Sequence, residues 1–344
     1  MSDIRQRKAD HIDLCATDQV AFRERTTLLE GVRLIHQALP DLSLDEIDLR
    51  CELFGKTLRA PLIVASMTGG TERAERINRI IAEVVEKRGL GMGLGSQRAM
   101  QKRPETTKSF QVRELAPTAL ILGNLGVVQA REQPTEALKE LVESVGADGL
   151  FIHLNPAMEL IQPEGDRDFR GGTETFARLV RELPLPVVAK ETGSGISRET
   201  AKKLRDVGVE TVDVSGAGGT SWVGVETLRA TGASAELGEK LWDWGIPTAA
   251  SIGFAGAAGM RVIATGGIRD GLDVARAVAL GAHAGGIARV AYQAFLDGTA
   301  DTFFDAVERE LRTAMLLVGA HNVEELRRAP RVITGELRHW LSAD

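Results

Sequence analysis

The stretch RVIATGGIRDGLDVARAVALGAHAGGIAR (261–289) contains an apolar strand, a glycine turn, a helical segment and a second apolar strand. Gly266 and Gly267 follow the first strand, and the helix is predicted to begin near Leu272. Glycine lets the backbone approach a ligand closely, because no β-carbon stands in the way. Phosphate groups often bind at such a turn and the helix N-terminus after it, although two ordinary strand–helix turns would look similar. The stretch predicts two strands of a parallel β/α fold.

Six earlier apolar runs extend this pattern, and each ends in polar or glycine-rich residues. They are PLIVASM (61–67), GLGMGLG (89–95), TALILGNL (118–125), GLFIHLN (149–155), PVVAKE (186–191) and TVDVSG (211–216). Such runs are typical of parallel strands that are buried on both faces. Six runs and the two strands above make eight, which predicts a (β/α)8 TIM barrel with its site at the C-terminal ends of the strands.

Two regions fall outside this alternation. Residues 1–60 are predicted to form an N-terminal extension that contributes to the site, with a helix over 26–39 and a hairpin over 41–61 that closes the barrel floor. A glycine- and tryptophan-rich insertion, residues 221–248, separates strands six and seven. We expect it to form a lid or wall at the catalytic face. One domain spanning residues 1–344 is expected.

Composition limits the classes of function. The chain has 344 residues and a formal net charge of −6, which argues against a nucleic-acid coat. Cys15 and Cys51 are the only cysteines and form no CxxC pattern, so a disulfide framework is not expected. The N-terminus lacks the apolar core of a signal peptide, and no apolar run approaches the roughly 20 residues that span a bilayer. We expect a cytoplasmic protein with no membrane partner.

Cationic donors gather in two motifs. RKADH (7–11) contains Lys8 and His11, and SQR (96–98) contains Arg98. An arginine can bind phosphate through two N–H groups, and Lys8 and His11 can add charge-assisted hydrogen bonds. A basic N-terminus is more often a solvated tail. The second motif favours a phosphate site instead.

Lys190 ends an otherwise apolar strand, where a buried ammonium needs a counter-charge. Two interpretations stay open: Lys190 lies against the electron-rich N1–C2=O edge of a reduced flavin, or it forms a salt bridge with Glu191 or Asp213. The motifs ASMTGG (65–70) and GNLG (123–126) add uncharged groups that suit a heteroaromatic ring, although tight turns use the same residues.

The loop HLNPAMELIQPEGDRD (153–168) mixes an imidazole, amides and carboxylates. A carboxylate beside a diphosphate indicates Mg²⁺, which is held through one protein oxygen together with substrate oxygens and water. An acidic surface loop is the alternative.

Taken in order from Arg7 to Arg289, nine motifs resemble the type 2, FMN-dependent isopentenyl diphosphate delta-isomerases. The motifs are RKADH, MTGG, GSQR, GNLG, HLN, PEGDR, AKETG, SGAGGTSW and GGIRDGLD. The resemblance implies a single FMN-binding (β/α)8 barrel that interconverts isopentenyl and dimethylallyl diphosphate, with NADPH as the reductant of FMN and with Mg²⁺. It also implies a homo-oligomer, a tetramer or an octamer. The amphipathic C-terminal segment 302–319 could serve a subunit contact or pack on its own barrel.

Site residues follow from the resemblance, position by position. It implies that Glu159 holds Mg²⁺, and we expect His153, Gln162 and Lys190 to be the catalytic residues. The substrate is expected at Arg7, Lys8, His11, Ser96, Gln97, Arg98, His153, Asn155 and Met158. FMN is expected at Ser66, Met67, Thr68, Ser96, Asn124, Lys190, Ser215 and Thr220, with its phosphate at Gly266, Gly267, Ile268, Arg269, Ala288 and Arg289.

One residue departs from the family pattern. The family has glutamine where this chain has Met158, and a thioether donates neither a proton nor a hydrogen bond. Gln162 stands four residues later, so in a helix it shares the face of Met158. Our hypothesis is that Gln162 supplies the amide, or that the N5 atom of the flavin needs no amide partner. A barrel that keeps FMN without this activity is the alternative.

Two rival classes of enzyme are disfavoured by the positions of histidine and cysteine. An FMN-dependent 2-hydroxy acid oxidase needs a histidine base late in the barrel, and His283, which precedes strand eight, lies on the wrong side. A dehydrogenase with a catalytic cysteine after a middle strand is disfavoured, since both cysteines precede strand one. A flavin-binding protein without catalytic activity is the remaining alternative.

Overall fold

Eight parallel strands form a closed barrel in the computed structural model, which describes residues 4–342 apart from the side chains of residues 4–6 and 9. The strands are β1 (Leu62–Val64), β2 (Gly91–Gly93), β3 (Leu120–Gly126), β4 (Gly149–Leu154), β5 (Val187–Glu191), β6 (Thr211–Asp213), β7 (Arg261–Thr265) and β8 (Ala284–Ile287). Neighbours in the chain are neighbours in the barrel, and β8 closes it by pairing with β1, with Gly286 opposite Ile63. The predicted (β/α)8 barrel is confirmed.

Helices surround the barrel and form its extensions. They are α1 (Ile4–Cys15), α2 (Glu72–Arg88), α3 (Arg98–Lys102), α4 (Val127–Arg131), α5 (Thr135–Glu143), α6 (Pro156–Ile161), α7 (Gly172–Glu182), α8 (Arg198–Asp206), α9 (Trp222–Arg229), α10 (Gly232–Leu241), α11 (Thr248–Ala257), α12 (Gly271–Leu280), α13 (Arg289–Leu296), α14 (Ala300–Leu317), α15 (Val323–Arg328) and α16 (Gly335–Ser342). Short 3₁₀ turns lie at Asp18–Val20, Leu29–Gly31, Leu44–Glu46 and Pro104–Ser109.

The floor of the barrel is closed by the predicted hairpin. Strands Cys51–Leu53 and Lys56–Leu58 pair antiparallel, with Cys51 opposite Leu58. Leu53 and Leu58 are buried against inward-facing residues of the strands, Ile63, Leu120, Leu122, Phe151, Val188, Ile263 and Ala284. Because these apolar side chains fill the lower barrel, polar groups can gather only at the opposite, C-terminal end.

The predicted helix over residues 26–39 is wrong. Leu28 has a left-handed φ of 56°, which interrupts a helix, and only the 3₁₀ turn Leu29–Gly31 follows. Val32–Leu34 is then a strand that pairs antiparallel with Arg331–Ile333 near the C-terminus. The apolar spacing that resembled a helix face instead serves a turn and a short strand.

The insertion between β6 and β7 contains α9 and α10, ends at the start of α11 and contacts the N-terminal extension. The amide of Ser221 donates to the Val20 carbonyl at 2.7 Å, and the Trp242 indole N–H donates to the Ala21 carbonyl at 2.9 Å. Ala21 and Thr220 also form an antiparallel bridge. The extension therefore crosses the C-terminal mouth of the barrel, packed against the insertion that was predicted to be a lid or wall.

The amphipathic C-terminal helix α14 packs on its own barrel. Phe304, Val307 and Leu311 are almost fully buried in the main hydrophobic core. Of the two roles left open for this segment, the apolar face therefore takes the intramolecular one. Within residues 4–342, none of the helices is both long enough and apolar enough to cross a membrane.

Candidate active site

One cavity of about 650 Å³ lies at the C-terminal ends of the barrel strands. It collects nearly every residue that the sequence predicted for the site: Arg7, Lys8, His11, Ser66, Met67, Thr68, Ser96, Arg98, Asn124, His153, Asn155, Met158, Glu159, Gln162, Lys190, Ser215, Thr220, Gly266, Gly267, Ile268, Arg269, Ala288 and Arg289. We name two parts of it. The barrel wall consists of the strand ends and the loops that follow them, and the N-terminal wall is formed by residues 7–30.

Gln97 is the predicted site residue that the structure does not bring to the cavity. Its side chain is fully buried, with Oε1 accepting from the Asn124 amide at 2.8 Å and Nε2 donating to the Leu141 carbonyl at 3.4 Å. The expectation that Gln97 contacts the substrate is therefore corrected. Gln97 instead fixes the end of β3, from which Asn124 reaches the cavity.

His153 and Asn124 form a hydrogen-bonded pair in the barrel wall. Nδ1 of His153 lies 2.7 Å from Oδ1 of Asn124, so the imidazole donates its Nδ1–H and leaves Nε2 without a proton. Burial, together with the nearby cations Lys190 and Arg98, lowers the pKa of His153 to about 4. His153 is therefore neutral at neutral pH, with an acceptor nitrogen on its free edge.

Lys190 forms one of the salt bridges that the sequence left open, the one with Asp213, and its contact with a flavin stays a prediction. Its Nζ donates to Oδ2 of Asp213 at 3.0 Å and to the Glu191 carbonyl at 3.3 Å, and the residue also lines the cavity. Burial raises the pKa of Asp213, and the Lys190 ammonium opposes that shift. The carboxylate of Glu191 takes no part in this pair, because its Oε2 accepts from the four successive amides of residues 192–195.

Glycines make a backbone-lined hollow beside β6 and β7. Gly267 has a φ of +77°, and a β-carbon there would lie 2.7 Å from the Gly218 carbonyl oxygen. A β-carbon on Gly219 would lie 2.5 Å from the Gly267 nitrogen. No β-carbon fits between these two glycine-rich loops, so their backbones pack directly against each other beside the cavity. Ser215, with a strained φ of 33°, stands at the start of the same loop.

Two helices begin beside this hollow, and only one has a free N-terminus. At α12 the carboxylates of Asp270 and Glu310 already accept from the amides of Asp273 and Gly271. At α13 the N-cap is Ala288, which has no side-chain acceptor. Since the first amides of a helix have no intrahelical acceptor, α13 is the better anion site. The sequence had pointed to both helices.

Four buried polar atoms of cavity-lining residues have no hydrogen-bond partner within the described part of the chain. They are Oγ of Ser66, Nε2 of Gln162, Oγ1 of Thr265 and the hydroxyl oxygen of Tyr292. An unpaired buried polar atom is costly, and a bound ligand that supplied partners would remove this cost. The glycine hollow, the α13 amides, Lys190 and these orphaned atoms together fit a bound FMN, with its phosphate on the amides and its ring on the uncharged groups.

The N-terminal wall presents cations from α1. Nζ of Lys8 donates to the carbonyls of Gly69 and Ser96 and lies 5.4 Å from the centre of the Phe110 ring. Burial and the nearby cations Arg7 and Arg103 lower the pKa of Lys8 to about 7. The interpretation of the RKADH motif as a solvated tail is therefore excluded.

A buried carboxylate in the insertion fastens this wall, and sequence reasoning missed it. Glu226 is fully buried; its Oε1 lies 2.7 Å from Nε2 of His11, and its Oε2 accepts from Arg229 at 2.5 Å. Arg229 also contacts Asp10 at 3.0 Å, while Trp222 meets the His11 ring edge-on at 5.2 Å. The only signal in the sequence was an acid–base pair three residues apart in an otherwise apolar helix.

Glu159 lies in the barrel wall beside the cations. It is 7% exposed, and its oxygens accept from Nδ2 of Asn155 at 2.9 Å and from the Asp166 amide at 2.8 Å. Asp166 in turn lies 3.7 Å from Arg98. The described residues contain no group of three or more metal-ligating acidic, histidine or cysteine side chains. A divalent cation here would need oxygens from the substrate and water as well.

Comparison with known proteins agrees with this geometry. The FMN-dependent dehydrogenase family matches residues 2–153 and 152–333. The isopentenyl-diphosphate delta-isomerase of Thermococcus kodakarensis is 43% identical over 97% of this chain and 93% of its own length. The enzyme of that name from Methanosarcina barkeri is 44% identical over 99% of this chain and 95% of its own length.

Solved structures resemble the chain in fold alone. A mandelate oxidase mutant with the monooxide FMN adduct has a TM-score of 0.65 at 21% identity and covers 94% of this chain and 95% of its own. A putative lactate oxidase of Pediococcus acidilactici has a TM-score of 0.67 at 17% identity and covers 96% of this chain and 93% of its own.

His283, the only late-barrel histidine, precedes β8 and accepts from the Val262 amide at 3.3 Å, away from the cavity lining. With the relatives' identity extending over nearly its full length, the chain belongs to the isopentenyl-diphosphate delta-isomerases, within the FMN-dependent dehydrogenase family.

Proposed function

We propose that this protein interconverts isopentenyl diphosphate and dimethylallyl diphosphate with reduced FMN, NADPH serving as the reductant and Mg²⁺ as the metal. One observation carries the proposal: a single cavity is lined by two separate groups of residues that suit anions. The glycine hollow with the α13 N-terminus suits a flavin phosphate, and the cations of the N-terminal wall suit a diphosphate. The relatives' name supplies the substrate.

The protein residues divide the work. Ser66, Met67, Thr68, Asn124, Ser215 and Thr220 would contact the flavin ring, with Lys190 beside its electron-rich edge. When bound, the reduced FMN supplies an electron-rich face and a proton carrier for a carbocationic transition state. Binding of the diphosphate at Arg7, Lys8, His11 and Arg98 supplies the energy that holds the reacting carbons in place.

Neutral His153 would hold the substrate without adding charge. Its free Nε2 accepts hydrogen bonds only, which leaves the cationic transition state without a like charge beside it. Helix α1 and the insertion cover the mouth and limit the access of water, which would otherwise trap a tertiary cation.

We propose that Glu159 holds Mg²⁺ together with oxygens of the diphosphate. One carboxylate plus substrate phosphate and water is the usual environment for this ion. The Asn155 amide, which already donates to Glu159, would fix the orientation of the carboxylate. Titration of Mg²⁺ into wild-type protein and Glu159→Gln, each with isopentenyl diphosphate, tests this. The variant should need a higher Mg²⁺ concentration, and equal requirements would contradict the assignment.

Gln162 is proposed to supply the amide that Met158 lacks. Both residues line the cavity, and the backbone N–H of Gln162 donates to the Met158 carbonyl at 3.1 Å. The side-chain Nε2 of Gln162 is buried without a hydrogen-bond partner among the described residues. We expect Gln162→Ala to lower turnover about 100-fold or more, as loss of a positioned proton-transfer group does. Gln101→Ala, which removes an exposed glutamine outside the cavity lining, is the control and should stay near wild type. Unchanged turnover of Gln162→Ala would exclude this role.

The proposed reaction is tested by anaerobic incubation with isopentenyl diphosphate, FMN and Mg²⁺, followed by NMR of the products. Dimethylallyl diphosphate should form when NADPH or dithionite reduces the flavin and should not form with oxidised FMN. A protein that binds reduced FMN and converts nothing would favour the alternative of a diverged barrel.

We also propose a homo-oligomer, a tetramer or an octamer, as the family implies. Leu228 and Leu237 are 47% and 45% exposed on the insertion helices α9 and α10, a place where a second subunit would cover them. Light scattering of the purified protein distinguishes the assemblies, and a monomer at micromolar concentration would contradict this proposal.

A further inference from the structure

We propose that Asp213 is a positioning residue that keeps Lys190 charged and directed into the flavin cavity. The inference rests on the proposed binding of FMN. Asp213 itself does not line the cavity, whereas Lys190 does. Any effect of Asp213 on the cofactor must therefore act through Lys190.

The geometry of the pair is set by the barrel. Lys190 on β5 and Asp213 on β6 are directly opposite each other in the parallel pairing of the two strands. The side chains are 6% and 2% exposed, and Nζ lies 3.0 Å from Oδ2. The second oxygen, Oδ1, accepts from the Ser215 amide at 3.2 Å. With one oxygen held by backbone and the other by Nζ, the carboxylate fixes where the ammonium can lie.

The other groups around Lys190 cannot replace this counter-ion. On β4, the Phe151 ring centre lies 5.7 Å from Nζ, and His153 is neutral. On β5 itself, the Glu191 carboxylate is occupied by four amides and only its carbonyl reaches Nζ. Among the described residues, Asp213 is thus the one carboxylate that pairs with Lys190. A buried ammonium without a counter-ion releases its proton more readily.

A positive charge at this point favours electrons on a bound flavin, because reduction makes the flavin more electron-rich. In the wild type, Asp213 should hold that charge constant across the neutral pH range. In Asp213→Asn, Lys190 should instead change from charged to neutral as the pH rises. The midpoint potential of the bound FMN then acquires an additional fall with pH.

The test is the two-electron midpoint potential of FMN-loaded protein between pH 6 and 9, measured against reference dyes. Four proteins form a cycle: wild type, Asp213→Asn, Lys190→Met and the double variant. We expect Asp213→Asn to show a steeper fall of potential with pH than wild type. Lys190→Met should have a lower potential than wild type, and adding Asp213→Asn to it should change nothing further.

Two results would overturn the inference. One is an Asp213→Asn protein whose potential follows the wild-type pH dependence. The other is an effect of Asp213→Asn that is equally large in the Lys190→Met background, which would show that Asp213 acts without Lys190. If Asp213→Asn fails to fold, wild type and Lys190→Met still decide: their potentials should fall in parallel with pH, and a steeper fall in wild type would show that Lys190 titrates despite Asp213 and overturn the inference. The potentials do not depend on turnover, so an inactive wild type that binds FMN would contradict only the isomerase proposal.

Discussion

The two walls of the cavity are held by different forces. The barrel wall is fixed by sheet hydrogen bonds and by close backbone contacts such as those of Gly267. The N-terminal wall is held by side chains, chiefly the buried carboxylate of Glu226 with His11 and Arg229. Backbone geometry changes little between solvent conditions, whereas ion pairs respond to pH and to single substitutions. We therefore expect cofactor binding to be robust and substrate binding to be adjustable.

The largest expected effect concerns the barrel wall. Gly267→Ala would drive a β-carbon into the Gly218 backbone and displace the phosphate loop. We expect FMN affinity to fall roughly 100-fold, since hydrogen bonds to a charged group contribute about 1.5–3 kcal/mol each. Fluorescence titration of FMN measures it.

Gly55→Ala is the matched control for this change. Gly55 has the same φ of +77°, but its β-carbon would meet nothing within 4 Å. It should therefore bear only the conformational strain, about 1 kcal/mol, and bind FMN normally. Equal loss of FMN affinity in both variants would show that strain, and not the close approach, is responsible.

The next effect concerns the N-terminal wall. No hydrogen bond or salt bridge from another described residue holds the Arg7 guanidinium, which lines the cavity. Arg7→Ala should raise KM for isopentenyl diphosphate about 10- to 100-fold, the value of one charge-assisted hydrogen bond, and leave FMN affinity unchanged. Arg50→Ala, which removes a surface partner of Asp48, is the control. A loss of FMN affinity in Arg7→Ala would contradict the expectation that the N-terminal wall binds the substrate and not the cofactor.

A smaller effect is expected from the anchor of the N-terminal wall. Burial works against ionisation of Glu226, but His11 and Arg229 hold its pKa below the ordinary value. Glu226→Gln removes the buried charge that pairs with Arg229 and contacts His11, although Arg229 keeps Asp10, and should loosen α1 and raise KM about tenfold. Glu239→Gln, which breaks the exposed pair with Arg23 in the same insertion, should have almost no effect. Steady-state kinetics of both variants measures this, and an equal KM in the two would contradict the role of Glu226 as the anchor of the N-terminal wall.

The smallest effect is a pH dependence. Burial lowers the pKa of Lys8 to about 7 in the free protein, and a bound anion would raise it again. Protonated Lys8 binds the diphosphate, so affinity should be highest below pH 7 and fall above it, by at most about tenfold per pH unit. In Lys8→Gln this component should be absent from KM–pH profiles. Parallel profiles for the two proteins would contradict the role of Lys8.

The sequence predicted the barrel wall well because that wall follows from local patterns. Apolar runs define the strands, and the residue after each run lies at the C-terminal edge, as Asn124, His153 and Lys190 do. Gln97 shows the limit of this logic. It belongs to a motif at a strand end, yet its side chain turns into the protein and supports Asn124.

The N-terminal wall could not be predicted in the same way. Its contacts join residues more than two hundred positions apart, such as His11 with Glu226, and no periodicity reports such pairs. The helix predicted over 26–39 failed for a related reason, since Val32–Leu34 finds its strand partner at Arg331–Ile333. The sequence left Glu191 and Asp213 open as salt-bridge partners of Lys190, and only the structure shows that Asp213 is the partner.

The central claim is that FMN and the diphosphate occupy separate parts of one cavity, and a crystal structure with FMN and isopentenyl diphosphate tests it most directly. We expect the flavin phosphate on the backbone of residues 266–269 and 288–289, with Lys190 beside the ring. We expect the diphosphate on Arg7, Lys8 and His11 of the N-terminal wall and on Arg98, which faces them. A diphosphate bound in the glycine hollow, or a flavin phosphate on the cations of α1, would contradict it.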